Sequence, residues 1–264
     1  MYVQVLQFIL FFLVSCTYAG WCPVPDPRLL DQKCYCQSKF GYFKYVYCDD
    51  LGNVTQVPDF MPTDEPFNEL HIRGHTLLEK LETGAFDGLQ FSKLWLQGIG
   101  IQIIEDGAFN GLGQYLRELH IDDNNIRGIP QRVLWSLKET TYLGFQNNDI
   151  QDLHPQTFFG MTKLRYLYLF HNRIPSIPPD SFKNLTQLSG LNLHSNEITS
   201  LPAGIFDSLA NLMELELQSN SISSLPKGIF DSLGKLNRLD LSNNLLESLP
   251  NGIFDKLTNV HHIS

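Results

Sequence analysis

Along most of the chain the apolar positions recur in one frame, L-x-x-L-x-L-x-x-N-x-(I/L)-x-x-L-P, which opens at Leu188, Leu212 and Leu236 with a spacing of 24 residues. The same step toward the N-terminus reaches Leu164, Thr140 and Leu116. Phe91, 25 residues before Leu116, and Phe67 open the earliest units. In L-x-L the apolar residues alternate with outward ones at period 2, which predicts a short strand with one buried face in every unit. Recurrence at a fixed interval predicts that these strands stack in parallel. Asn124, Asn148, Asn172, Asn196, Asn220 and Asn244 fall where the chain leaves each strand. An asparagine amide there can pair with the backbone groups of the turn, so stacked copies predict a ladder. Phe86, Phe109, Phe158, Phe182, Phe206, Phe230 and Phe254, with Leu134 in their place once, predict a spine on the outer side of the core. One unit cannot bury its own leucines, so stability must come from neighbours covering one another. The pattern gives about eight repeats over 67–264 and a ninth begun at Val260.

At 264 residues and 43% hydrophobic, the chain can bury one extended core without division into globular domains. A net charge of −9 argues against a sequence-independent nucleic-acid or heparin footprint and favours a cationic or neutral partner. Residues 1–20 hold no charged side chain, run apolar from Val5 to Val14 and end in SCTYAG, the form of a secretory signal peptide. That run is short for a membrane span and no later segment is long enough, so a secreted, extracellular protein without stable membrane insertion is expected. Cys16 would leave with the signal. Cys22, Cys34, Cys36 and Cys48 follow within a cap over 21–66, and an even number in an exported chain points to disulfides. A zinc site is disfavoured by the single C-x-C pair and the lack of a nearby histidine. Asn53 and Asn184 open N-glycosylation triplets, Asn-Val-Thr and Asn-Leu-Thr.

The repeat frame and the C-x11-C-x-C-x11-C cap resemble the secreted leucine-rich-repeat proteins of animals. The resemblance implies an α/β-class solenoid with a curved parallel β-sheet on its concave face and short 3-10, helical or irregular segments on its convex face. It also implies a disulfide N-terminal cap pairing Cys22 with Cys36 and Cys34 with Cys48. CPVPDP at Cys22 to Pro27 and the C-x-C resemble arthropod proteins similar to the non-catalytic subunit of oplophorus-luciferin 2-monooxygenase. The LPxGIFDxL phrases are similar to those of variable lymphocyte receptors and slit-like proteins. These families imply binding rather than catalysis: a recognition scaffold, an accessory subunit stabilising a secreted enzyme, or a matrix or adhesion component. No cysteine follows Cys48, and the sequence stops inside a repeat: either it is a fragment of a longer chain, or, if complete, it is expected to expose Leu239, Leu241 and a strand edge open to self-association or partner docking.

Residues flanking the buried leucines should line the concave face. Tyr142, Tyr166, Tyr168 and Phe170 fall on two neighbouring strands with Trp95 further along, forming a candidate patch for a protein or glycan. The rival reading is that these rings pack on one another and recognise nothing. Glu214, Glu216 and Asp240 make an acidic end that either meets a basic partner or stays solvated. His71 and His120, with Glu118 and Asp122, form a nominal acid–base set, yet two strand spacings put the histidines about 10 Å apart, too far to share a metal. Catalytic motifs such as G-x-S-x-G and H-E-x-x-H are absent. No enzymatic activity, cofactor or metal is therefore expected.

Overall fold

A computed structural model describes residues 34–39, 43–49, 57, 66–74 and 78–264. The expected signal segment 1–20, Cys22 and Asn53 lie outside the described residues. The strands are β1 (Cys34–Lys39), β2 (Phe43–Asp49), β3 (Phe67–Arg73), β4 (Lys80–Leu81), β5 (Phe91–Gln97), β6 (Ile103–Ile104) and β7 (Glu118–His120). They continue as β8 (Tyr142–Gly144), β9 (Tyr166–Tyr168), β10 (Gly190–Asn192), β11 (Glu214–Glu216), β12 (Arg238–Asp240) and β13 (His262–Ile263). Eleven form one sheet in the order β1-β2-β3-β5-β7-β8-β9-β10-β11-β12-β13, while β4 and β6 pair separately. Only β1–β2 is antiparallel in that sheet. From β2 onward the register sets Val46, Leu70, Leu94, Leu119, Leu143 and their successors to Ile263 side by side.

This register buries the leucines on one face of the sheet, as at Leu143, Leu167 and Leu215, each fully shielded from solvent. Behind them the phenylalanine spine stacks at 6.3 Å from Phe158 to Phe182, 6.5 Å to Phe206, 6.3 Å to Phe230 and 6.2 Å to Phe254. Parallel strands sit about 4.8 Å apart. Each turn is therefore a wedge, wider at the spine than at the strands, and the sheet lies on the concave side.

The outer segments form turns, with no helix among the described residues, so the irregular form of the expected convex face is the one adopted. In the Leu201 repeat, Ile205 N–H donates to the Pro202 carbonyl, Asp207 to Gly204 and Leu209 to Phe206. Pro202 withholds a donor and Gly204 takes φ +73°, which interrupts helical propagation. A side chain at Gly204 would also meet the Asp207 carboxylate at 2.8 Å, so the recurring glycine and aspartate make one compact turn.

The asparagines do form the ladder. Asn172 Nδ2 donates to the carbonyls of Phe145 at 2.9 Å and Leu169 at 3.0 Å, and its Oδ1 accepts from Ile150 N–H at 2.9 Å. Asn196 repeats this with Leu169, Leu193 and Ile174, and Asn220 with Leu193, Leu217 and Ile198. The residue before each asparagine adopts a left-handed conformation, from Asp123 at φ 58° to Asn243 at 54°. The Asn sits on a tight backbone reversal that the spacing alone did not anticipate.

At the N-terminal end, a disulfide joins Cys34 on β1 to Cys48 on β2, as the family resemblance implied. Cys36 is also disulfide-bonded, and Cys22, its expected partner, lies outside the described residues. At the other end, Leu239 and Leu241 are buried rather than exposed, at 0% and 7%. The ninth unit supplies β13, whose pairing with β12 covers them. The exposed apolar side chains of this region are instead Leu245, Leu249 and Ile263.

Candidate functional site on the concave sheet

In-register stacking brings outward rings of successive repeats into contact. Tyr47, His71, Trp95 and His120 occupy one column of the sheet. Ring centroids are 4.7 Å apart for Tyr47–His71, 5.5 Å for His71–Trp95 and 3.4 Å for Trp95–His120. The next position is Gly144. The vacancy lets Tyr142 lean across it: a Cβ at Gly144 would stand 3.2 Å from the Tyr142 ring, which stacks on His120 at 4.2 Å. Tyr142 continues edge-on to Tyr168 at 5.2 Å, Tyr168 to Phe170 at 6.2 Å, and Phe170 lies flat on His194 at 4.6 Å. Tyr166 similarly leans over Gly190, where a Cβ would meet its ring at 3.0 Å.

His120 is the electrostatic centre of this ladder. It is 4% exposed, with Nε2 3.6 Å from Glu118 and Nδ1 3.7 Å from Asp122; at these separations neither nitrogen makes a hydrogen bond. Burial by itself would lower the imidazole pKa, but the two carboxylates outweigh it and hold it above the ordinary histidine value. Burial raises the Asp122 carboxyl against the opposing pull of His120. His120, with Lys93 at 3.2 Å, keeps Glu118 below the usual range. His71 goes the other way: burial lowers its pKa despite a 2.9 Å contact with Glu69.

Of the expected site residues, Trp95, Tyr142, Tyr168 and Phe170 are half-buried within the ladder, and Tyr166 stands out at 40% exposure. Glu214 is exposed and Glu216 half-buried, whereas Asp240 is only 8% exposed. Asp240 accepts from the Ser242 hydroxyl at 2.6 Å, and Arg238 reaches both Glu216 at 3.3 Å and Asp240 at 3.7 Å. The acidic end is thus partly neutralised, with Glu214 its accessible carboxylate. Among the described residues no group of three or more His, Cys, Asp or Glu is placed to hold a metal, and no helix is long and apolar enough to cross a membrane.

The ladder also starts earlier than the repeat count suggested. Tyr45 and Tyr47 of β2 and Tyr35 of β1 extend it into the cap, with Tyr35–Tyr47 stacked at 5.3 Å, Lys39 over Tyr45 and Arg73 over Tyr47. The signal was present: Val46 lies 24 residues before Leu70, and Tyr45 and Tyr47 flank it at strand spacing.

A parallel solenoid with one strand per turn, a leucine core, an asparagine ladder and a phenylalanine spine defines a repeat scaffold. The leucine rich repeat family model matches residues 114–174, 171–220 and 210–264, more than half of the 264-residue chain. The protein belongs to the leucine-rich-repeat family. No curated protein matches the chain well enough to count as a relative.

Proposed function

We propose that this is a secreted, non-enzymatic scaffold that binds a protein partner across its concave sheet, with Tyr166 as the anchor. The observation that carries this reading is how the rings are oriented. From Tyr47 to Tyr142 they lie face to face, so each covers its neighbours and presents edges outward. A sugar that stacks on an aromatic ring needs an open ring face, and the stacked run offers little of one. An edge-lined, rigid strip suits the side chains of a folded protein surface, which is the general use of leucine-rich-repeat sheets. Tyr166 lies tilted at 42° to Tyr142, is the most exposed of the five expected rings, and precedes Glu214 by two strands in the same register column. An aromatic anchor beside a free carboxylate fits a partner segment that pairs an apolar group with a basic one.

Cross-linking mass spectrometry of the tagged protein in its native secretion identifies the neighbour and the face used. With that partner purified, Tyr166→Ala is expected to weaken binding by roughly 30-fold, the scale of an interface hot spot, while circular dichroism stays unchanged. Unaltered affinity places the interface elsewhere. If the neighbour is a smaller active chain, the scaffold is an accessory subunit of a secreted enzyme; if only copies of itself are recovered, it is an adhesion component.

A further inference from the structure

The outer turns carry a second anomaly, on the side away from the sheet. The residue directly after the spine position is polar or charged in six repeats, Asp87, Asp207 and Asp231 among them. In two adjacent repeats it is Trp135 and Phe159. Their rings lie 5.4 Å apart, tilted by 59°, and Phe159 is 51% exposed. The pair is held in place: Trp135 Nε1 donates to the Gln156 carbonyl at 2.9 Å, and the Arg132 guanidinium lies 5.5 Å over the indole. A fixed pair of rings, Phe159 exposed and Trp135 half-buried, where the frame otherwise places polar or charged side chains forms a surface that something should cover.

The sequence supplies a tethered occupant. The position after this one is small beside both rings, Ser136 after Trp135 and Gly160 after Phe159, so the shelf at their feet carries no bulky side chain. One repeat further on, the same position is Asn184, exposed, opening Asn-Leu-Thr with Thr186 also exposed. Successive repeats on this side are spaced like the Phe158–Phe182 rings, 6.3 Å apart, close to the width of one sugar ring. The direction is decided by the neighbours. Toward the C-terminus the shelf is bordered by Asp207 and Asp231, hydrated carboxylates with no apolar face to offer. Toward the N-terminus it is bordered by Phe159 and then Trp135.

We propose that Asn184 carries an N-linked glycan whose proximal sugars lie along the Gly160–Ser136 shelf, with their C–H faces against Phe159 and Trp135. The proposal rests on the secretory reading above and is independent of what the concave sheet binds. The glycan shields the aromatic pair from solvent and keeps the convex side from associating.

The test expresses the full chain in a eukaryotic secretory host and maps occupancy by glycopeptide mass spectrometry. Release by peptide-N-glycosidase is then timed on the native protein. Phe159→Asp and the double variant Trp135→Asp/Phe159→Asp restore the side chain that neighbouring repeats carry. Asn184 is expected to be occupied, and native release to be about five-fold faster in Phe159→Asp, the scale of one lost aromatic contact. The release rate after denaturation is expected to be the same in all forms, and the single variant suffices if the double one fails to leave the cell. A secreted chain with Asn184 bare overturns the proposal, as do equal native release rates in wild type and variant, which would leave the pair to another partner. Retention of the chain in the cytosol overturns the secretory reading itself.

Discussion

His120 occupies a position that chemistry at the residue scale makes conditional on pH. Its ring is held between Trp95 and Tyr142 and its two nitrogens face Asp122 and Glu118, so the protonated imidazole meets opposite charge on both sides. The neutral ring leaves buried polar atoms without partners. Its folded-state pKa lies above the ordinary 6.5, so the contribution is fully present below pH 6.5 and is lost as pH rises through the folded value. Asp122, also raised, acts in the same direction from its ordinary 3.8 upward, whereas the lowered His71 opposes. Wild type should therefore exceed His120→Gln in stability most strongly below pH 6.5, and the gap should narrow toward pH 8. Urea unfolding of both proteins across that range measures it, and a gap that widens with pH refutes the assignment. His120 and Asp122 were recognisable in the sequence as an acid–base pair. Their enclosure by two aromatic rings was not, because Tyr142 belongs to a different column of the repeat frame.

Strands and turns set two further expectations at the scale of elements. In β8, Gly144 is the notch that admits Tyr142. Gly144→Ala would place a Cβ 2.8 Å from Gln146 Oε1 and 2.9 Å from Asp122 Oδ1. The crowding should cost about 1–3 kcal/mol and displace Tyr142 from His120, seen as an altered near-ultraviolet dichroism with far-ultraviolet signal retained. In the ladder, Asn172→Ala leaves the buried Ile150 N–H without a partner and takes one amide donor from the Phe145 and Leu169 carbonyls, which keep Asn148 and Asn196, for a loss of about 2 kcal/mol. Asn244→Ala should cost clearly less, because that site is half-buried and water can replace the amide. Equal losses at the two positions would contradict a role that depends on burial. The asparagine, leucine and phenylalanine positions were readable because each contacts its own copy one turn away. The left-handed residue before each asparagine was not, since Asp123, Asn147, His171, Ser195, Ser219 and Asn243 share no single side-chain type.

The whole molecule is a one-dimensional stack, so damage at one end should stay there. Opening the Cys34–Cys48 bridge in Cys34→Ser/Cys48→Ser removes a closure across 14 residues, a constraint worth about 3 kcal/mol for a loop of that length. Hydrogen exchange should quicken in β3 and β5, next to the cap, and remain unchanged in β10 to β12. Uniform loss of protection would mean one cooperative unit. The same linear order explains why the ring ladder runs out of the cap into the middle repeats: β2 joins the sheet in register with β3, so Tyr45 and Tyr47 become part of the face.

The repeat frame by itself determined the class of fold, the buried leucines, the phenylalanine spine and the asparagine ladder, because a fixed period places every such residue against its own copy. It also marked the aromatic and acidic positions of the outward face. Only the tertiary structure decided which of those are available. Tyr142 and Trp95 are stacked into a ladder, Arg238 and Ser242 occupy Asp240, β13 covers Leu239 and Leu241, and Trp135 meets Phe159 on the outer turns. The physical reason is that a buried position is constrained by the period. An outward side chain settles according to the volumes and charges that happen to flank it on neighbouring turns.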